Sequence, residues 1–210
     1  MHKLNRPQVI PNCLSKYQHG RDNWGTVTPV DKAIIWQKLT QMQGNLCAYC
    51  ESGLKQDHKH IEHFRQKAGH IYPQGTFQWD NLFGSCNNPN SCGKYKDNRA
   101  RPYLPNHLVK PDIEDPELYF QFVRDGSINV RRGLTNVDNN RAKETLRIFN
   151  LNSLRQARES ATIGYRQTAE YLIEILKDFG EEEYNLELQK ELHATKTLPF
   201  STAIKHTLML

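Results

Sequence analysis

The sequence predicts an α+β protein in which a finger of two short strands and one helix, clamped by four cysteines, is embedded in a mostly helical chain. Two observations predict the finger: four of the five cysteines fall in two close pairs, and a strand-like stretch lies between the pairs. Apolar residues that recur every three or four positions from Asn139 onward predict the helices. We therefore divide the chain into an N-terminal arm and helix (1–46), the finger (47–105), and a hairpin with a helical region (106–210).

Length and charge set the broad class. The chain has 210 residues, enough for one sizeable core without disulfides, and no uninterrupted apolar run of membrane-spanning length. Its first residues lack the apolar segment of a signal peptide, so we expect a cytoplasmic protein. The net charge of +5 is compatible with a polyanionic partner. Basic residues concentrate around the finger, where they would line a phosphate-binding groove or form an ordinary solvated face. They are Lys55, Lys59, Arg65, Lys67, Lys94, Lys96, Arg99 and Arg101.

The N-terminal segment should consist of an arm followed by a helix. Residues 1–28 contain prolines and glycines without any period, which favours an irregular arm anchored by Trp24. Thr28 can cap a helix that has Pro29 at its first position and ends before Gly44. The apolar stripe of this helix consists of Val30, Ile34, Ile35 and Leu39.

The cysteine pairs predict a structural zinc site. Cys47 and Cys50 form a Cys-x-x-Cys knuckle, and Cys86 and Cys92 supply a second pair about thirty-five residues later. Together they would hold the intervening chain as a closed loop around Zn²⁺. The alternative is four reduced thiols in a small core, and the remaining Cys13 is expected to be a partly buried free thiol.

The stretch between the cysteine pairs carries the candidate chemistry. In a strand through His60–Phe64, His60 and Glu62 share one face while Ile61 and His63 take the other. A phosphodiester hydrolase needs a base that activates water and a cation that stabilises the developing charge. His63 is the candidate base and Glu62 the candidate metal ligand, although such a pair also occurs in ordinary surface strands.

A downstream asparagine strengthens that interpretation. Asn81 follows Trp79 after a loop, and its side chain can fix the imidazole by a hydrogen bond from the loop to the strand. Trp79 and Leu82 should pack beneath it. A short helix should then run from about Cys92 through Lys96 over the two strands.

The order of these residues resembles the HNH endonuclease family, which has a finger of two strands and a helix around one divalent ion. The resemblance implies that His63 is the general base, that Glu62 binds the ion, Mg²⁺ or Mn²⁺, and that Asn81 orients the base. Lys96 closes the motif and joins the catalytic set, while the four cysteines match the structural zinc of many members.

One position departs from that family. Members usually have His or Asn directly after the last cysteine as a further metal ligand, and this chain has Gly93. Asp97, four residues further along the helix, shares a face with Gly93 and is the expected substitute. The other candidates are His60, Asn87, Asn88 and Asn90.

Further segments resemble one HNH group, the PtuB nucleases of Septu and retron-associated anti-phage defence systems. They are Lys3–Pro7, Leu14, Gly20–Gly25, His60–Arg65, Asn81–Cys86, Cys92–Gly93, Lys96–Asp97, Leu108–Asp112 and Glu114–Pro116. This resemblance implies an antiviral effector that works with an ABC-type ATPase subunit, PtuA. It also implies, in some systems, a retron reverse transcriptase with its RNA–DNA product.

The C-terminal part should begin with a β-hairpin. Two apolar runs flank the turn residues Asp125-Gly126, which predicts strands on both sides of that turn. One short helix should end near Asn150, and a second, capped by Ser153, should run to Gly180. A third is expected from about Glu181 to Ala194, followed by an apolar tail that docks and ends at Leu210.

We expect a metal-dependent HNH endonuclease, a hydrolase acting on nucleic acid, with DNA favoured over RNA. Two alternatives stay open. The first is a zinc-ribbon module that binds nucleic acid or protein with a degenerate nuclease site, which Gly93 favours. The second is an RNA-cleaving, toxin-like effector, because the same finger can cut RNA.

Overall fold

The computed structural model of the chain describes residues 1–67, 72–100 and 102–209. Within those ranges helices are combined with two small antiparallel sheets, so the predicted α+β class is confirmed. None of the helices in those ranges is long and apolar enough to cross a membrane. The last residue of the predicted tail, Leu210, lies outside the described residues.

The first helix, α1 (Pro29–Gln43), begins and ends where the sequence predicts. Thr28 accepts a hydrogen bond from the amide of Asp31, and Gly44 ends the helix with a φ of 62°. Val30, expected in the apolar stripe, is instead 71% exposed, because the first turn of the helix faces solvent at this position. The predicted arm is largely irregular, with short 3-10 turns at Asn12–Lys16 and Trp24–Thr26.

The finger consists of an antiparallel strand pair followed by a helix. Strand β1 (Lys59–His63) pairs with β2 (Leu82–Cys86), with Ile61 opposite Gly84, and helix α2 (Cys92–Asn98) follows. Gln43, at the end of α1, bonds both the amide and the carbonyl of Gly84, each at 2.9 Å. A Cβ at Gly84 would lie 2.7 Å from that side chain, so only glycine allows this junction.

The predicted hairpin is confirmed, with β3 (Phe120–Phe122) antiparallel to β4 (Ile128–Val130). Helix α3 (Asn136–Phe149) ends at Asn150, which adopts a left-handed conformation with a φ of 44°. The helix begins three residues before the predicted apolar pattern, because Thr135 caps its first turn by accepting from the amide of Asp138.

The segment between Ser153 and Gly180, predicted as one helix, forms two helices. Helices α4 (Arg155–Thr162) and α5 (Tyr165–Phe179) are separated at Gly164, whose helix propensity is low. The prediction that Ser153 caps the helix is also wrong, because its hydroxyl donates to the carbonyls of Asn90 and Asn150 instead.

The remaining helices agree with the sequence. Helix α6 (Glu181–Thr195) matches the predicted third helix, and α7 (Ser201–Leu208) docks the tail by burying Ile204 and Leu208. The main core joins apolar residues of the arm, the finger, the hairpin and α7. The arm is also tied to the finger directly, because the guanidinium of Arg6 donates to the carbonyls of Trp79 and Leu82.

Candidate active site and metal centre

The four finger cysteines form one cluster, the thiol cluster. Their sulfur atoms all lie within 4.8 Å of one another, and all four side chains are buried and free of disulfides. The sulfurs of Cys50 and Cys86 are 3.9 Å apart. A tetrahedral site with metal–sulfur bonds of about 2.3 Å would need separations of about 3.8 Å, so the cluster has the dimensions of a metal site.

The surroundings of the thiol cluster also fit a cation. The amide of Cys86 donates to the sulfur of Cys47 at 3.4 Å, and the Ser52 hydroxyl lies 3.1 Å from the sulfur of Cys50. Hydrogen bonds with Cys47 and Cys86 raise the pKa of Cys50, and burial with the neighbouring thiols raises the pKa of Cys92. Four thiolates therefore need a compensating positive charge, which a metal ion supplies.

The candidate base, His63, ends strand β1 with its side chain only 3% exposed. Its Nε2 lies 3.0 Å from the carbonyl oxygen of Thr76. Because a carbonyl only accepts, Nε2 carries the hydrogen and Nδ1 keeps the lone pair of a neutral imidazole. Burial and the charge of Lys67 lower the pKa of His63 to about 3, so the ring is neutral at pH 7. The ring of Trp24 lies edge-on to it at 4.5 Å between centroids.

Asn81 ties the chain just after His63 to the loop at Gly75. Its Oδ1 accepts from the amide of Arg65 at 2.7 Å, and its Nδ2 donates to the carbonyls of Arg65 and Gly75 at 3.1 and 3.0 Å. The side chain does not bond the imidazole directly. It fixes the loop that presents the Thr76 carbonyl, so any effect on His63 passes through that carbonyl.

Glu62 and Lys96 form a buried ion pair beneath the base. The Nζ of Lys96 is 2.8 Å from Oε1 of Glu62, and the two side chains are 0% and 1% exposed. Burial opposes ionisation of Glu62, yet the charge of Lys96 and, after it, the hydrogen bond with His60 lower the pKa of Glu62 to about 2. Burial likewise opposes the Lys96 charge, but Glu62, Tyr103 and Asp97 raise the pKa of Lys96 above its usual value.

Asp97 also forms an ion pair with the Lys96 ammonium. Its Oδ1 lies 2.6 Å from Nζ of Lys96, which also donates to the carbonyl of His63 and to the Tyr103 hydroxyl. The Asp97 side chain is 34% exposed, and burial together with the charge of Glu62 raises its pKa. Lys96 therefore stands between the two carboxylates that the sequence assigned to a divalent ion.

The second oxygen of Glu62 faces a histidine. His60 Nε2 lies 3.0 Å from Glu62 Oε2, as expected for two residues on one face of a strand. The other ring nitrogen of His60 is 2.8 Å from Oδ1 of Asn87. A Cβ at Gly93 would lie 2.3 Å from Glu62 Oε2, so this placement of Glu62 depends on the glycine.

These residues fit a divalent ion at one edge of Glu62. Oε2 and the His60 imidazole converge there, whereas Oε1 is neutralised by Lys96. Among the residues that the structure describes, no set of three or more His, Cys, Asp and Glu apart from the thiol cluster brings its ligand atoms so close. Water and substrate phosphate would therefore complete the shell of the ion, as is common for Mg²⁺.

Sequence reasoning missed three contacts at the site. Trp24 was expected to anchor the arm, and its contact with His63 is a tertiary one. The Thr76 carbonyl belongs to the main chain, which carries no sequence signal. Tyr103, which bonds Lys96 and the carbonyl of Phe64, stands in a segment that reads as a loop. Of the basic residues around the finger, Lys96 is buried, and Arg101 lies outside the described residues.

The site therefore combines a neutral imidazole, an adjacent carboxylate and a thiol cluster on two strands and a helix, which is the class of site the HNH resemblance implies. No family model matches the chain. Among curated proteins, it is similar to the Septu protein PtuB of Bacillus thuringiensis, at 28% identity over 189 residues, 84% of this chain and 64% of that protein.

Two further relatives are named as HNH endonucleases of retrons. The protein of retron Vc95, from Vibrio cholerae serotype O1 biovar El Tor, is 29% identical over 127 residues, 58% of each chain. The protein of retron Ec83, from Escherichia coli, is 32% identical over 81 residues, 34% of this chain and 31% of that protein. The chain thus spans less than two thirds of the length of these relatives, and its relationship to PtuB and to retron HNH endonucleases is confirmed.

Proposed function

We propose that this chain is a metal-dependent HNH endonuclease that hydrolyses phosphodiester bonds in nucleic acid, with DNA as its substrate. The observation that carries the proposal is the state of His63: a neutral ring whose Nε2 is held by a carbonyl and whose Nδ1 keeps a lone pair. The next residue back along the strand is an ionised, buried carboxylate, Glu62. A base beside a cation-binding group is what phosphodiester hydrolysis requires.

Each residue then has a distinct task. Nδ1 of His63 takes the proton of the attacking water, and the Thr76 carbonyl stabilises the imidazolium that forms through its bond to Nε2. Asn81 holds the loop that carries this carbonyl. Lys96 positions His63 and Glu62 relative to α2 by contacting both.

A divalent ion is the second requirement. When bound, Mg²⁺ or Mn²⁺ stabilises the negative charge that develops on the phosphate oxygens. Glu62 would hold it, with Asp97 or His60 as the second protein ligand. Zn²⁺ in the thiol cluster would have a structural task, because its ligands join the turn before β1, the end of β2 and the start of α2.

We further propose that the chain is an effector of an anti-phage defence system and works with an ABC-type ATPase resembling PtuA. In retron-associated systems a reverse transcriptase and its RNA–DNA product would be further partners. One relative is named as a Septu protein and two as HNH endonucleases of retrons, which supports the defence-system part of this proposal. The burial of His63 against Trp24 of the arm supports a chain that is restrained on its own, with movement of the arm as the step that exposes the base.

A binding module with a degenerate site is the second candidate, and two observations favour it. Gly93 removes one ligand position of the family, and His63 is only 3% exposed. Such a module would keep the zinc site and the basic surface around the finger but would not need a working base.

Cleavage of plasmid DNA and of total tRNA with Mg²⁺ or Mn²⁺ separates these candidates. Wild type is compared with His63→Ala, and with His58→Ala as a control at an exposed histidine just before β1, each alone and with the proposed ATPase partner. We expect DNA cleavage that falls at least about 100-fold in His63→Ala and is unchanged in His58→Ala. Cleavage of tRNA alone would indicate the RNA-cleaving effector. No cleavage of either polymer with partner and metal present would favour the binding module.

A further inference from the structure

We propose that His60, held from behind by Asn87, is the second protein ligand of the divalent ion and replaces the ligand that Gly93 lacks. This inference rests on the proposed function and names the ligand that the function left open between His60 and Asp97. Three observations carry it: the space at Gly93, the hydrogen-bond partners of His60, and the distance between His60 and Glu62.

Gly93 decides where the Glu62 carboxylate lies. A Cβ at Gly93 would come within 2.3 Å of Oε2 and 2.5 Å of Cδ of Glu62, and real Cβ atoms do not approach so closely. A ligand-bearing side chain at this position and the present placement of Glu62 therefore exclude one another. The glycine leaves room for the Glu62 carboxylate beside its own strand, where His60 is the next side chain on the same face.

In the neutral ring of His60, the hydrogen-bond partners leave Nε2 without a hydrogen. Asn87 donates its Nδ2 to the carbonyl of Lys59, which directs its Oδ1 toward His60 Nδ1 at 2.8 Å. An amide oxygen only accepts, so Nδ1 carries the ring hydrogen and Nε2 of the neutral ring carries a lone pair. That lone pair faces Glu62 Oε2, which is also an acceptor. Two acceptors at hydrogen-bond distance need a positive species shared between them, either a proton or a metal ion.

The distance that allows a hydrogen bond to a protonated ring also fits a metal ion. Octahedral Mg²⁺ has bonds of about 2.1 Å, which places neighbouring ligand atoms about 3.0 Å apart. The observed separation between His60 Nε2 and Glu62 Oε2 is 3.0 Å. A ligating histidine usually donates its other N–H to an oxygen that fixes its orientation, and Asn87 does this for His60. His60 is also 22% exposed against 1% for Glu62, so the ion and a phosphate would reach the site from the His60 side.

Asp97 does not meet these conditions. Its carboxylate contacts Nζ of Lys96 at 2.6 Å. The same ammonium contacts Glu62 and therefore occupies the place between the two carboxylates where an ion would have to bind. An ion held by Glu62 and Asp97 would have to displace a buried lysine with four partners. The edge formed by His60 and Glu62 requires no such displacement.

Mn²⁺ binding to the full chain, with one equivalent of Zn²⁺ already bound, tests the assignment. Free Mn²⁺ is measured by electron paramagnetic resonance during titration, and electron spin-echo modulation of the bound ion reports a nitrogen ligand. We expect wild type to show the nitrogen coupling. His60→Ala should lose the coupling and bind Mn²⁺ at least about 10-fold more weakly, whereas Asp97→Asn and the control His58→Ala should keep both. Asn87→Leu should weaken binding while the coupling persists.

Bound Mn²⁺ without nitrogen coupling in wild type, or unchanged coupling and affinity in His60→Ala, would overturn the assignment and leave His60 as an ion-pair partner of Glu62. Loss of binding in Asp97→Asn alone would assign the site to Asp97. In each of these cases wild type would still be expected to show metal-dependent cleavage, and the proposed function would be unaffected. If wild type neither binds Mn²⁺ at millimolar concentration nor cleaves nucleic acid, the proposed function fails together with the inference.

Discussion

Lys96→Met should destabilise the protein strongly, because it removes a cation that the finger has enclosed. The Nζ of Lys96 lies 2.6 to 3.2 Å from a main-chain carbonyl, a tyrosine hydroxyl and two carboxylates, and the side chain is 0% exposed. Methionine keeps most of the aliphatic length, so the substitution creates little cavity. What it removes is the charge that balances Glu62.

The magnitude follows from that lost balance. Removing one partner of a buried ion pair typically costs about 3 to 5 kcal/mol, because the other charge stays buried without compensation. Glu62 is 1% exposed and Asp97 34%, so most of the cost arises at Glu62. Neutralising that carboxylate should therefore recover part of the loss, and Lys96→Met combined with Glu62→Gln should show a coupling of about 1 to 3 kcal/mol.

Urea unfolding followed by circular dichroism measures these free energies. With a slope of about 2 kcal/mol per molar urea, Lys96→Met should lower the midpoint by about 2 M. Lys94→Met, a control on the same helix with a half-buried lysine, should change the free energy of unfolding by about 0.5 kcal/mol or less. A loss below about 1 kcal/mol in Lys96→Met, or single-variant effects that simply add in the double variant, would refute the buried ion pair as a source of stability.

Three further changes have defined outcomes. Natively purified protein should contain about one zinc per chain by mass spectrometry, and Cys47→Ser should lose it while Cys13→Ser, at a buried thiol outside the cluster, retains it. The hydrogen bond from His206 is the main cause that lowers the pKa of Glu117 to about 2. Ionised Glu117 therefore stabilises the folded protein fully above its unfolded pKa of about 4.3, and this stabilisation is lost as the pH falls toward 2. The free energy of unfolding should drop by about 2 kcal/mol more between pH 5 and 2 in wild type than in Glu117→Gln. Trp24→Ala should increase acylation of the imidazole at the end of β1 by diethylpyrocarbonate, measured by peptide mass spectrometry, while Trp24→Phe should leave it nearly unchanged.

Much of the fold follows from local sequence, because caps and periodicity act within a few residues. Thr28, Pro29 and Gly44 define α1 by satisfying or ending its main-chain hydrogen bonds, and the structure follows them. The hairpin after the finger likewise follows from its Asp125-Gly126 turn. The break between α4 and α5 was missed, because the apolar stripe continues across Gly164 and its period alone does not show where the hydrogen-bond ladder is interrupted.

The candidate site was less accessible to local reasoning. Strand alternation correctly places His60 and Glu62 on one face. The main-chain partners of Asn81 belong to two separate segments, and the ring of Trp24 contacts His63 from a part of the chain thirty-nine positions earlier. Such contacts depend on tertiary packing, and local spacing along the sequence does not reveal them.

The departure at Gly93 shows what helix spacing alone leaves out for Asp97. Residues four apart share a helix face, but Asp97 lies about one turn, 5 to 6 Å, further along the axis of α2. Over that distance its carboxylate contacts Lys96, while the Glu62 carboxylate lies in the space that the glycine leaves. The missing side chain at Gly93 removes one ligand, and it also leaves the space that the carboxylate of Glu62, the remaining ligand, occupies. Under the His60 proposal, the compensating group therefore lies beside the Glu62 carboxylate, on the strand that carries His60, and not along the helix that lost the ligand.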